Sequence, residues 1–152
     1  MIWFLYLVGA VVVANIAFSL YVRLAPINGQ DFHVDPLAAG VDGPRSAYHG
    51  PPDVPSYQAS PEALFAAFRE IALATPRTRL VAETEPDLSA TFLTRSALMG
   101  FPDYTSVRVV PWEDGATVAI YARARFGYSD LGVNAARVAV WRAALDARFT
   151  SP

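Results

Sequence analysis

Residues 116–137 read ATVAIYARARFGYSDLGVNAAR, and the change of period inside this stretch decides the fold. Val118, Ile120, Ala122, Ala124 and Phe126 recur at every second position, with Ala119, Tyr121, Arg123 and Arg125 between them. That alternation predicts a strand with one face covered. Gly127-Tyr128-Ser129-Asp130 interrupts it. From Asn134 the spacing becomes three and four: Val138, Trp141, Leu145 and Phe149 mark one helical stripe, with Ala144 beside it and Arg142 and Asp146 toward water. A strand that turns directly into an amphipathic helix calls for a sheet and a helix sharing one core.

The flanking segments extend the pattern. Three further strand-like runs precede this one, at 79–84, 88–96 and 105–112. They are joined by Glu85-Pro86-Asp87, by the loop ALMGFPDY and, before the fourth run at 116–126, by the hairpin pair Asp114-Gly115. Short connections favour antiparallel neighbours, because parallel pairs need a long crossover. Ahead of them, Ser60 is placed to cap a helix that begins at Pro61, where the missing N–H costs nothing. Leu64, Phe65, Phe68, Ile71 and Ala72 form its apolar stripe, and Pro76 ends it. The predicted domain, 60–150, is therefore α-β-β-β-β-α. It is an α+β two-layer sandwich with a four-stranded antiparallel sheet and two helices on one face.

The composition points to a different environment for the other end of the chain. Of 152 residues 53% are hydrophobic and 17% charged, against about 25% charged in an ordinary soluble domain. Ile2 to Val22 carries no side chain that is charged at neutral pH. About 20 apolar residues suffice to cross a bilayer core as a helix, and Trp3, Tyr6 and Tyr21 lie toward the ends, where aromatic belts sit. Residues 1–23 are predicted to be an uncleaved transmembrane anchor. A signal peptide fits less well, since no Lys or Arg precedes the run, the run is long and no clear Ala-x-Ala site follows. With no cysteine in the chain there is no lipoprotein attachment point, disulfide or thiolate site. Arg23 votes by the positive-inside rule for a cytoplasmic C-terminal side.

Between anchor and domain, residues 24–59 hold Pro36, Pro44, Pro51, Pro52 and Pro55 with Gly40, Gly43 and Gly50, the composition of an extended tether. Phe32, Tyr48 and Tyr57 are unusual for a wholly solvated linker and are the residues placed to pack. His33 and His49 also lie here, with Asp31 and Asp35 beside the first. Two histidines on such a segment are a poor metal set, and no metal or other cofactor is expected. All twelve basic residues are Arg, and the formal net charge of −2 leaves no electrostatic footprint for nucleic acid.

At TRSALMGFPDYTSVRVV and at Arg123–Arg137 the chain resembles the DUF1499 family, a group named for its unknown function. The family's pattern is close to S-R-S-R-x-G-x-x-D-x-G-x-N-x-x-R. Arg123, Arg125, Gly127, Asp130, Gly132, Asn134 and Arg137 occupy its places, while Ala122 and Ala124 replace the two serines. That departure argues against a required hydroxyl chemistry. Phe101 and Asp103 match a second part of the pattern. The resemblance extends over about Ser60 to Phe149. It implies an anchored domain without assigned activity, on the extracytoplasmic side of a bacterial inner membrane.

The residues with chemical potential are Arg95, Asp103, Arg123, Arg125, Asp130, Asn134 and Arg137. Asp130, between strand and helix, either caps the helix or pairs with Asp103 in acid–base work. Asn134 on the buried stripe needs partners; it pins the turn or reads a ligand's polar group. Arg123 and Arg125 share the strand face opposite the apolar one, and Arg95 and Arg108 can reach it. An open sheet face so lined suits a carboxylate, phosphate or lipid headgroup. The alternative is pairing with Glu83, Glu85 or Asp103. There is no Gly-rich phosphate loop, G-x-S-x-G, H-E-x-x-H or dinucleotide fingerprint, and no Cys or His within 60–150. The chain reads as a membrane-anchored, non-catalytic interaction module. Its expected partners are the lipid bilayer and another membrane protein. A binding module for a small anion is the alternative, and a carboxylate hydrolase the third reading.

Overall fold

The computed structural model describes residues 1–52 and 54–149; position 150, the predicted end of the domain, lies outside them. Helix α1 spans Ile2–Leu24 and is long and apolar enough to cross a membrane. A short helix α2, Pro36–Ala39, and strand β1, Ser46–His49, follow. Then come α3 (Pro61–Ala74), β2 (Thr78–Thr84), β3 (Ser89–Arg95), β4 (Pro102–Trp112), β5 (Gly115–Ala124) and α4 (Val133–Phe149).

All strand pairs are antiparallel, in the order β1-β5-β4-β3-β2. The architecture is α+β as predicted, but the sheet has five strands instead of four. The extra strand comes from the stretch predicted to be a tether. Ser46 to His49 pair with Arg123 to Ile120, which closes the edge that β5 would otherwise expose. The strand is four residues long between proline- and glycine-bearing turns, too short to display a period of its own. The N-terminal apolar helix α1 stands where an anchor is predicted, but the helix count differs, because α2 forms in the segment expected to be a tether.

Helices α3 and α4 share one face of the sheet. Ser60 accepts from the Ala63 N–H at 3.2 Å and Pro61 opens α3, as the sequence requires. Leu64, Phe65, Phe68 and Ala72 meet Val138, Trp141 and Leu145 over Ala90, Phe92, Val107, Val118, Ile120 and Ala122. Trp141 is the centre of this layer. Its ring lies edge-on to Phe68 and Phe92, with centroids 5.5 and 6.2 Å away, and its indole N–H donates to Thr75 Oγ1 at 2.7 Å. Burying Trp without a partner for that N–H would be costly, and Thr75 supplies it. Asp146 does not simply face water: Tyr57 donates to it at 2.8 Å, and burial, together with that bond, raises the Tyr57 hydroxyl pKa.

The opposite sheet face is not open. Residues 26–36 lie across it as a strap. Phe32 stacks on the buried Tyr104 with rings 3.8 Å apart and 5° from parallel. His33 bonds through Nδ1 to Thr91 and through Nε2 to Thr84, at 2.9 and 3.1 Å. Gly29 sits against the Val81 backbone, where β2 bulges between Leu80 and Ala82. A side chain there would collide with the Val81 carbonyl.

Candidate functional site

The motif that ends β5 and opens α4 is distributed over three separate tasks. The first is to fasten the strap. Arg123, Arg108 and Arg95 do share one sheet face, as the alternation predicts, yet that face is occupied by the chain itself. Arg123 donates to the Phe32 carbonyl and, at 3.3 Å, to Ser106, and its guanidinium lies 5.0 Å from the Tyr121 ring centre. Arg108 pairs with Asp35 of the strap. Arg125, one residue past β5, donates to the Pro26 carbonyl at 2.8 Å and lies over the Phe32 and Phe126 rings. Among the predicted acidic partners, Glu83 pairs with Arg69.

The second task is capping. Asp130 Oδ1 accepts from the Gly132 N–H at 3.1 Å and Oδ2 from the Asn134 N–H at 2.8 Å, holding the first turn of α4. Leu131 and Gly132 both stand at positive φ, 54° and 80°, so the turn uses the left-handed region twice. Glycine takes the second without a steric cost.

The third task joins α4 to the sheet. Asp103 lies in β4, not in the loop before it, and faces the helices. Arg137 donates to its Oδ2 at 2.8 Å and to Asn134 Oδ1 at 2.6 Å. The side chains of Arg137 and Asp103 are only 8% and 12% exposed. Burial raises the Asp103 carboxyl to about 6 despite Arg137, with the Asp130 charge adding to the rise. Burial likewise lowers the Arg137 guanidinium. Desolvation therefore outweighs the attraction on both sides of this pair, as is usual for buried ion pairs. Asn134 is fully buried, and its partner is the Arg137 guanidinium rather than the turn backbone; its Nδ2 has no acceptor among the described residues.

Two clefts flank this corner. One of about 250 Å³ is lined by Phe101, Asp103, Phe126, Asp130 and Leu131. The other, of about 470 Å³, runs past Arg95, Arg137, Val140 and Trp141. Asp103 and Asp130 thus border one cleft, but each carboxylate is already engaged. The two histidines are separated by the sheet. His33 is on the strap face, whereas His49 on β1 lies toward α4, its pKa lowered to about 4 by burial and by Arg142. Among the described residues no three His, Cys, Asp or Glu side chains cluster as a metal site.

A junction that the sequence did not announce lies at the other end of Arg95. Its guanidinium donates to the Gly100 carbonyl at 2.7 Å and to the last carbonyls of α1, Val22 at 3.4 Å and Arg23 at 3.3 Å. Arg23 returns a bond to the Leu98 carbonyl at 2.8 Å, and Ser19 to Met99 at 3.4 Å. Phe18 meets Phe101 and Tyr21 meets Phe126, with centroids 6.0 and 6.2 Å apart. Val22 is fully buried in this contact. The only hint in the sequence is the basic, polar end of an otherwise apolar run.

No curated protein matches the chain. The sequence profile of DUF1499, described as a protein of unknown function, matches residues 28–145, so its span takes in most of the strap, β1 and all but the last turn of the sandwich. With the sheet and the corner inside a span that covers most of the chain, the chain belongs to the DUF1499 family.

Proposed function

We propose that this protein is a single-pass, membrane-anchored, non-catalytic interaction module. Its domain would be held against the bilayer on the extracytoplasmic side of a bacterial inner membrane. The observation that carries this reading is the seating of the last turns of α1 on the loop 96–101 and on Phe126. Anchor and domain form one body, so the surface around the helix is presented at a fixed height. That surface carries Leu98, Tyr128 and Leu131, which are 83%, 88% and 91% exposed. Large apolar side chains this exposed on the loops beside a membrane anchor suit a contact with lipid or protein.

The other readings have less support. A small anion on the sheet face would have to displace the strap from Arg123 and Arg125. A hydrolase using Asp103 and Asp130 would have to free one carboxylate from Arg137 and the other from the α4 backbone. The side of the membrane follows the family resemblance; the charge of Arg23, the one vote against it, also serves the junction through Leu98.

Photo-cross-linking tests the proposal. A cross-linkable residue at Leu131 is expected to give a discrete adduct with a neighbouring membrane protein in intact cells. The same residue at Glu62, at the far end of the sheet, is expected to give none. No adduct, or the same adducts from both positions, contradicts the interaction role. Protease added outside spheroplasts should reach the domain; full protection contradicts the assigned side.

A further inference from the structure

Four arginines converge where α1 leaves the domain. Arg23 from α1, Arg77 and Arg79 from the β2 edge, and Arg95 from the end of β3 line one groove of about 540 Å³, together with Thr78 and Ser96. No carboxylate lines the groove, and among the described residues none of the four is in a salt bridge. In a chain of net charge −2 this is a local concentration of positive charge.

Their existing partners leave that charge in place. Arg23 and Arg95 donate to carbonyls at the junction, and Arg77 donates to the Arg95 carbonyl at 3.1 Å. Carbonyls orient a guanidinium without neutralising it. The negative end of α1 offsets roughly half of one charge. Burial lowers the Arg95 pKa, and the nearby Arg79 and Arg23 lower it further. Arg77 also stands at φ 61°, a region that non-glycine residues rarely occupy. Such backbone outliers are retained where the surroundings hold them, often at binding sites.

The groove's height relative to the bilayer identifies the anion. The 23 residues of α1 give a helix about 34 Å long, and a hydrocarbon core is about 30 Å thick. Arg23, which lines the groove and bonds to the Leu98 carbonyl, lies about 32 Å along the helix, just past that thickness. The loop 96–101, and with it the groove, therefore stands in the headgroup layer once α1 spans the core.

We propose that this groove binds the phosphate of an anionic phospholipid whose acyl chains run beside α1. The inference rests on the anchoring proposed above and adds a lipid preference to it. Guanidinium groups grip phosphate oxygens through paired N–H bonds. With no carboxylate present, the groove disfavours the cationic group of a zwitterionic lipid. Arg23 and Arg95 are held by the junction, whereas the Arg79 side chain is free to close on the headgroup, and Arg77, tied through Nε to the Arg95 carbonyl, keeps its two terminal nitrogens for it.

The test uses the full chain in nonionic detergent micelles, with thermal unfolding followed as lipid is added. Phosphatidylglycerol is expected to raise the melting temperature saturably, phosphatidylcholine to leave it unchanged, and inorganic phosphate to act far more weakly than the lipid. Each arginine beside an anionic lipid surface contributes roughly fivefold in affinity. Arg79→Gln is therefore expected to weaken the phosphatidylglycerol midpoint about fivefold, and Arg77→Gln with Arg79→Gln about 25-fold. Arg148→Gln, on the exposed face of α4, should leave the midpoint unchanged. The Arg79 side chain makes no hydrogen bond among the described residues, so its variant should melt like the parent in phosphatidylcholine, which checks that it folds. Equal responses to both lipids, an equal response to inorganic phosphate, or an unchanged midpoint in Arg79→Gln overturns the lipid site. None of those results affects whether α1 anchors the domain.

Discussion

Replacing Arg137 with leucine should separate the structural from the chemical meaning of the Asp103–Asn134–Arg137 cluster. Arg137 is the salt-bridge partner of Asp103 and the donor to Asn134 Oδ1. In Arg137→Leu the carboxylate stays buried without its cation. Breaking a buried pair from one side typically costs about 3–5 kcal/mol. The pH dependence gives the sign. The Asp103 pKa rises from 3.8 to about 6 on folding, so the native state binds more protons than the unfolded one between those values. In the parent, this group's contribution is most favourable below pH 4 and declines as pH rises toward 6. The rise corresponds to a penalty on the order of 3 kcal/mol above pH 6. Without Arg137 the native pKa climbs higher, so the penalty grows and reaches into the neutral range. Urea unfolding of the full chain in nonionic detergent, followed by the fluorescence of the buried Trp141, measures this. The expected result is a loss of several kcal/mol at pH 7.5 that shrinks markedly at pH 4.5. Arg137→Leu combined with Asp103→Leu should recover most of it. A loss below about 1 kcal/mol at pH 7.5, or one independent of pH, refutes the reasoning.

Three further outcomes follow from the geometry. Asp130→Ala removes the acceptor of two N–H groups at the start of α4; it should cost about 0.5–2 kcal/mol and speed amide exchange in the first turn of that helix. Gly29→Ala drives a methyl group into the Val81 carbonyl, so the strap should lift and be cut by protease within 24–36 sooner than in the parent. It should also lose about 1–3 kcal/mol of stability, the usual range for overpacking; unchanged proteolysis would contradict the seating of the strap. A fragment beginning at Ser60 leaves β5 as a bare edge and Tyr104 uncovered, and should aggregate, whereas one beginning at Asn28 should stay monomeric in light scattering.

The sandwich was legible because local patterns carried it. Ser60-Pro61, the stripe through Trp141 and the alternation through Ile120 each report their own environment within a few residues. The face shared by Arg95, Arg108 and Arg123 was legible for the same reason, since parity along paired strands fixes it. What covers that face was not. The strap is held by single contacts between residues far apart in sequence, such as Phe32 with Tyr104 and Arg125 with Pro26. Its prolines and glycines read as a tether because they exclude helix and ladder without saying what the segment lies against. The strand Ser46–His49 is defined by β5 and not by its own four residues. Asp103 reads as loop from sequence because β4 starts at Pro102, and proline weakens a strand signal. Asn134 was correctly read as buried, but its partner stands one helical turn later instead of in the preceding turn.

If α1 and the domain form one body, the loop 96–101 stands in the headgroup layer. Because the chain has no cysteine, Leu98→Cys introduces a unique thiol for a nitroxide label. Its depth can be read in proteoliposomes from the relative access of oxygen and a water-soluble nickel chelate. An interfacial depth is expected for Leu98→Cys and full aqueous exposure for Glu62→Cys at the far end of the sheet. An equally aqueous signal at both positions would contradict it, and would mean that the domain stands away from the membrane.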